Sequence, residues 1–155
     1  MIHASSDIHP SVRYGNNCTV WAFSVLCEDV VLDDDVVIGS HCFIGRRCHI
    51  GRGSRLQSHV FLPPDMIISE RCFLGPGVIC TNDMYPSIHQ IYPFTPPFLE
   101  ADVSLGAGVI VLPGIVIGTH ALIGAGAVVT HDVPAGDRVC GNPARSMRGQ
   151  HVGNA

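Results

Sequence analysis

The sequence predicts an all-β protein: a parallel β-helix with one long inserted loop and a short C-terminal segment. Three observations predict it. Large apolar residues recur at every sixth position through Ile8, Tyr14, Val20, Leu26, Leu32, Ile38, Ile44, Ile50, Leu56, Leu62, Ile68, Leu74 and Cys80. Four places after each stands a second, mostly small column: Val12, Cys18, Ser24, Val30, Val36, Cys42, Cys48, Ser54, Val60, Met66, Cys72, Val78 and Met84. The two columns resume from Leu99 to Val129 and from Val103 to Val133. A fixed short period marks a solenoid, in which stacked repeats bury a core that no single repeat could.

Each six-residue unit has the same reading. In an extended segment alternate side chains share a face, so the second column of one repeat and the first column of the next point inward, and the residue between them points out. Three such strands close a triangular coil, so residues 18 apart in sequence are stacked neighbours, with successive coils about 4.8 Å apart. Glycine follows the large residue at Gly15, Gly39, Gly45, Gly51, Gly75, Gly106, Gly118 and Gly124, where a tight bend would make a Cβ costly.

Between Cys80 and Leu99 the count slips by one residue. The intervening TNDMYPSIHQIYPFTPPF holds four prolines, two tyrosines and two phenylalanines, which no regular coil accommodates. Residues 81–98 are therefore expected to be an inserted loop able to cover a ligand. On this reading residues 1–149 form a single domain and 150–155 a flexible tail.

The chain has 155 residues, 46% of them hydrophobic and 14% charged, with a formal net charge of -4. That balance offers no basic surface to nucleic acid. All nine basic residues are arginine, which excludes a lysine Schiff base. No positively charged start precedes an apolar run and no span reaches about 20 apolar residues, so neither signal peptide nor membrane helix is expected, and a cytoplasmic location is.

Of the seven cysteines, Cys18, Cys42, Cys48 and Cys72 fall in the inward small column as compact hydrophobes and Cys80 in the large one. Only Cys27 and Cys140 lie outside the pattern. With no CxxC pair, neither a zinc site nor a disulfide framework is expected, and reduced thiols fit the cytoplasm. His41 and His59 should stack at one corner, but a divalent site usually takes three protein ligands and no third histidine shares their column; no metal is expected. Asp33, Asp34 and Asp35 read as a solvated corner.

The outward residues of one face read Val25, Phe43, Phe61 and Ile79, all apolar. Those of the other two read Arg13, Val31, His49, Ile67 and Thr19, Val37, Arg55, Phe73. A continuous exposed apolar stripe implies a partner surface, and association with copies of itself is its expected use.

Over nearly its whole length the chain resembles the hexapeptide-repeat acyltransferases, left-handed β-helices that form homotrimers with active sites between subunits. Residues 56 to 86, LQSHVFLPPDMIISERCFLGPGVICTNDMYP, are similar to the enzymes that N-acetylate a deoxyhexose amine attached to UDP or dTDP. The end, LGAGVIVLPGIVIGTHALIGAGAVVTHDVPAGDRVCGNPARSMRG, is similar to the coenzyme A part of the same enzymes. The resemblance implies a left-handed winding, acetyl-CoA as donor, a nucleotide-linked amino sugar as acceptor, and a homotrimer. Residue by residue it puts Asn82 and Asp83 beside the acceptor sugar as catalytic residues, with Tyr85 and His89 on the same loop. It suggests Gln57, Ser58 and His59 for the sugar-nucleotide pocket. Gly106, Ala107, Gly124 and Ala125 would line the pantetheine arm with backbone amides. Pro143, Ala144, Arg145 and Arg148 would meet the adenine and phosphates, a task for which a planar, multiply donating guanidinium is suited.

The related O-acetyltransferases carry a histidine shortly after the asparagine, where this sequence reads Tyr85-Pro86. A hydroxyl needs a base to become nucleophilic, whereas a neutral amine already has its lone pair. The departure favours N-acetylation by direct attack, with Asp83 or the departing thiolate taking the proton. Three alternatives stay open. His59 or His89 acting as a base would make the chain an O-acetyltransferase, three histidines meeting across a subunit boundary would make it a metalloenzyme resembling γ-class carbonic anhydrases, and failure to bind acyl-CoA would make it a non-catalytic module.

Overall fold

The computed structural model describes residues 1–89 and 93–147. Arg148 and the expected tail at 150–155 lie outside the described residues. Every strand is two residues long except Arg138–Cys140, because each repeat supplies one inward and one outward residue before the chain turns. The strands stack in parallel into three sheets around about seven turns, matching a left-handed β-helix.

The first face runs from Asp7–Ile8 through Val25–Leu26, Phe43–Ile44, Phe61–Leu62, Ile79–Cys80 and Ile110–Val111 to Val128–Val129. The second runs from Arg13–Tyr14 to Val116–Ile117, and the third from Thr19–Val20 to Arg138–Cys140, closed by an antiparallel Arg145–Ser146. Outward partners follow the expected 18-residue register, Val25 on Phe43, Phe43 on Phe61 and Phe61 on Ile79. At the insertion Ile67 pairs with Phe98 instead, 31 residues on, so 13 extra residues enter one coil. The strand Phe98–Leu99 starts one residue inside the range expected for the loop.

Both inward columns are buried from Cys18 to Cys80 and again from Leu99 to Val133. Their two ends depart from the pattern. Tyr14 is 54% exposed because its strand is the edge of the second face, with no coil above it, and Met84 is 48% exposed because the chain has already left the coil. The small column also does polar work that the period alone does not reveal. Ser24 Oγ donates to Gly39 O at 2.7 Å and Ser54 Oγ to Ser69 O at 3.0 Å. The thiols of Cys42 and Cys48 reach Gln57 O and Pro63 O, each at 3.1 Å. A serine or cysteine there satisfies a turn carbonyl of the next coil that an alanine would leave bare. Burial pushes the Cys48 thiol up to about 12 and that of Cys72 up to about 11, so both stay protonated hydrophobes at neutral pH.

At the corners a Cβ is as costly as expected, and contact between coils is the reason. The glycines that follow the large residue do not have a left-handed backbone; they are glycine because coils touch there. A Cβ on Gly106 would lie 2.5 Å from Ala125 N, and one on Gly39 would lie 2.6 Å from Ser58 N. The left-handed residue of each corner comes two places later and includes Phe23, His41 and His59 at φ 61°, 58° and 63°. Asp33, Asp34 and Asp35 are partnered rather than merely solvated: Asp33 meets His49 Nε2 at 3.0 Å, Asp34 accepts from Asn16 and Arg52, and Asp35 accepts from Asn17.

Candidate functional site

The 13-residue insertion leaves the corner between the first and second faces. Thr81 fixes its start, since its N–H and Oγ1 both donate to Val111 O, at 3.0 and 3.1 Å. Further on, Thr95 N–H donates to Asn82 O at 3.0 Å and Gly114 N–H to Thr95 O at 2.8 Å. The two ends of the loop are thereby stitched to each other and to the turn of the next coil. Asp83 Oδ1 accepts from Tyr85 N–H at 3.0 Å, a local turn that fixes its carboxylate. Asn82, Asp83, Tyr85, Thr95 and Pro113 line a cavity of about 280 Å³, and the Asn82 amide makes no hydrogen bond among the described residues. Thr95 and Pro113 are additions that the sequence did not single out. His89 does not line this cavity; it is exposed, and its N–H donates to Ser87 Oγ at 3.3 Å.

A second set gathers on the corner between the third and first faces. Its left-handed positions read Phe23, His41, His59, Gly77, Gly108 and Gly126 in successive coils. The first three rings stack, Phe23 on His41 at 5.1 Å and His41 on His59 at 5.0 Å with an angle of 4° between planes. Below His59 the column is bare. A Cβ on Gly77, Gly108 or Gly126 would meet nothing within 4 Å, so three coils leave an open lane along the axis. Beside it Ala107 and Ala125 are exposed, and their N–H groups donate to no other part of the described chain. The sequence held the signal for the lane, because the glycines fall in the same hexad position as His59.

The lane ends at the C-terminal turn. Arg138–Cys140 and Arg145–Ser146 form a hairpin around a cis Asn142–Pro143 bond. Val128 N–H donates to Gly141 O at 3.0 Å, and Ala144 N–H donates back to Val128 O at 2.8 Å. Buried Asp137 accepts at Oδ1 from Ser146 Oγ at 2.9 Å and from Arg138 N–H at 2.9 Å, holding the returning strand. This leaves the Arg145 guanidinium exposed, with its own contact to Ala144 O.

The structure therefore brings Gln57, Ser58, His59, Gly106, Ala107, Gly124, Ala125, Pro143, Ala144 and Arg145 to one corner, and Asn82, Asp83, Tyr85 and His89 to another. The two corners bound opposite edges of the first face, a separation of about 15–20 Å for a six-residue side. Between them lies the apolar stripe, with Phe43, Phe61 and Ile79 each exposed by 37–40% and the Phe43 and Phe61 rings stacked at 5.2 Å. The second face adds a shorter apolar run, Ile67, Phe98 and Val116. Among the described residues no three of His, Cys, Asp or Glu gather as a metal site would need.

Residues 15–46 and 96–131 match the model of the bacterial transferase hexapeptide, six repeats. A Schizosaccharomyces pombe protein named as an acetyltransferase is 41% identical over 86 residues, 52% of this chain and 42% of its own length. A 2,3,4,5-tetrahydropyridine-2,6-dicarboxylate N-acetyltransferase of Staphylococcus aureus is 44% identical over 54 residues, 35% of this chain and 23% of that one. The chain thus spans less than half the length of the curated relatives it matches. Among solved structures, two of the perosamine N-acetyltransferase of Caulobacter crescentus, in complex with CoA and GDP-perosamine, superpose with TM-scores of 0.67 and 0.57 at 24% and 26% identity. They cover 94% of this chain and 54% of theirs.

Proposed function

We propose that this hexapeptide-repeat chain is an acetyl-CoA-dependent N-acetyltransferase whose acceptor is the amine of a nucleotide-linked amino sugar, working as a homotrimer in the cytoplasm. The observation that carries the reading is the open lane of Gly77, Gly108 and Gly126, flanked by the unused amides of Ala107 and Ala125 and ending at Arg145. A linear, amide-bearing arm with phosphates at one end matches that series in order: hydrogen bonds along the arm, then a guanidinium for the phosphates. Its reactive end would reach His59 and Gly77, the coil from which Asn82 departs. Because Asn82 stands across the first face from the lane, a neighbouring copy packed on the Val25–Ile79 stripe would bring its own loop to the lane. The site would then form between subunits, with Asn82 and Asp83 holding the acceptor amine for direct attack on the thioester.

Relatives in this fold include an N-acetyltransferase whose structure holds CoA and GDP-perosamine, while the resemblance of residues 56–86 points to UDP or dTDP. The deciding measurement is thiol release from acetyl-CoA against UDP-, dTDP- and GDP-linked amino sugars. Turnover with one of them supports the reading; turnover only with hydroxyl acceptors sinks it. That second outcome, O-acetyl transfer, has one observation in its favour, namely that the His59 imidazole stands where the lane ends.

A further inference from the structure

Two columns of exposed polar side chains flank the first face, one on each edge. On the lane's corner, above Gly77, the His41 and His59 rings are exposed and stacked on each other. The ring nitrogens of His3, His9, His49, His120 and His131 each make a hydrogen bond or ion pair. Those of His41 and His59 make none among the described residues, a condition shared only by His89 on the loop. Stacking occupies the ring faces and leaves the nitrogen-bearing edges open. On the opposite edge of the face, Arg47 and Asp65 stand six residues after His41 and His59, each at the left-handed position of its corner and on the same coil as the matching ring. Arg47 Nε donates to Asp65 Oδ1 at 2.6 Å and Nη2 to Oδ2 at 2.8 Å, and this guanidinium holds the Asp65 carboxyl below its ordinary value. Both side chains are about half exposed. Arg47 Nη1 has no hydrogen-bond partner among the described residues, and each carboxylate oxygen keeps a lone pair for a further donor.

We propose that these two columns meet across the subunit boundary: Asp65 of one copy accepts a hydrogen bond from the His59 ring of the next, and Arg47 donates to that copy's His41 ring. The pairing rests on the assembly proposed above, in which the loop of one copy reaches the lane of the next, and is independent of the acceptor's identity. Asn82 leaves the same coil that carries Gly77, so copies turned about an axis parallel to the solenoid stand level, coil for coil. The corner of Asp65 then faces the corner of His59, one coil above loop and lane, and Arg47 faces His41 one coil higher. The chemistry fits at both levels. A neutral imidazole has one donor and one acceptor nitrogen, so one ring can give to the carboxylate while the other receives from the guanidinium. Covering the contact strands no charge, because Arg47 and Asp65 already neutralise each other. Asp65 thereby becomes a positioning residue for its neighbour's site. His59 stands at the reactive end of the lane, and fixing its ring sets the room left for the acceptor.

Cysteines at the two positions test the contact. In the whole protein carrying His59→Cys and Asp65→Cys, mild oxidation should link the chains into covalent trimers, whereas either substitution alone should not. A link within one chain is excluded, since the two positions stand on opposite edges of the face, about 15–20 Å apart, and a disulfide needs Cα atoms within about 7 Å. A trimer in solution that yields no cross-link would overturn the pairing and leave the assembly standing. A monomer in solution would overturn both, and thiol release from acetyl-CoA would then show whether the acetyltransferase reading survives within one chain. The positioning role has its own readout. Asp65→Asn should lower kcat about 10-fold, the lower end for hydrogen bonds to charged groups, with acetyl-CoA affinity and trimer mass unchanged, and Asp65→Glu should keep most of the turnover. In a His59→Gln background, which has already lost the contact, adding Asp65→Asn should cost no further turnover. Equal losses in both backgrounds would make Asp65 a support of the fold and sink its role at the neighbour's site.

Discussion

Asn82 and Arg145 sit on different corners and should fail in different ways. Arg145→Ala is expected to weaken acetyl-CoA binding by about 1.5–3 kcal/mol, the range for hydrogen bonds to charged groups, with acceptor affinity nearly unchanged; separate calorimetric titrations check this. Asn82→Ala should lower kcat and leave acetyl-CoA affinity intact, because it misplaces the acceptor and not the donor. Equal loss of both ligands in either variant would make the residue a support of the fold. Both residues were legible in the sequence, as they sit where the hexad count breaks or in a short segment that resembles a known one. Thr95 and Pro113 were not, because neither belongs to a repeating column and only the path of the loop brings them beside Asn82. His89 shows the converse: its place in an unusual loop made it a candidate, and the structure leaves it outside the cavity.

At the scale of the coil, two kinds of contact set the spacing, and each makes a prediction. Gly106 has Ala125 N at 2.5 Å from where its Cβ would lie, so Gly106→Ala must push two coils apart. A loss of about 1–3 kcal/mol is expected, as for other overpacked sites, read as a lower midpoint of chemical unfolding. The sequence marked this glycine correctly but for another reason, since close approach between coils leaves no trace in the local pattern of one repeat. Ion pairs between coils are the second kind. Arg71 holds Asp102 through two hydrogen bonds of 2.8 and 2.9 Å, and this guanidinium lowers the Asp102 carboxyl below its ordinary value. A carboxyl lowered in the folded state adds stability above its unfolded pKa, near 4, and loses it as pH falls through the folded value. Arg71→Met should therefore destabilise the protein at pH 7, and its gap to wild type in unfolding midpoint should close as the pH falls from 7 through the lowered Asp102 value. A constant gap between the two across that range would show that Arg71 acts through packing alone.

For the whole molecule the decisive feature is that the two groups of candidate site residues flank one face. The period of six made the three faces and their register readable, and the apolar run Val25, Phe43, Phe61 and Ile79 marked which face would meet a copy. It did not by itself single out that the two predicted site groups flank that face, although Gln57 to His59 come just before Phe61 and Asn82 just after Ile79 in one unbroken register. Nor did it reveal the second apolar run, Ile67, Phe98 and Val116, whose members straddle the insertion. If the loop of one subunit serves the lane of the next, damage to the two halves can be repaired by mixing. Asn82→Ala removes the acceptor side. Gly108→Phe fills the lane, and the fold should tolerate it, since Phe23 already occupies the same corner position at φ 61° and Gly108 has a φ of 67° with no atom within 4 Å of the added Cβ. Each variant alone should be nearly inactive, yet trimers co-assembled from equal amounts should regain roughly a quarter of wild-type turnover, the share of sites that receive both intact halves by random assortment. Adding Phe61→Glu to both chains puts a charge into the apolar contact and should abolish the recovery while lowering the mass in solution. If the mixture stays as inactive as its components while trimers do form, each site lies within one chain, and the corner-to-corner geometry has been assigned to the wrong assembly.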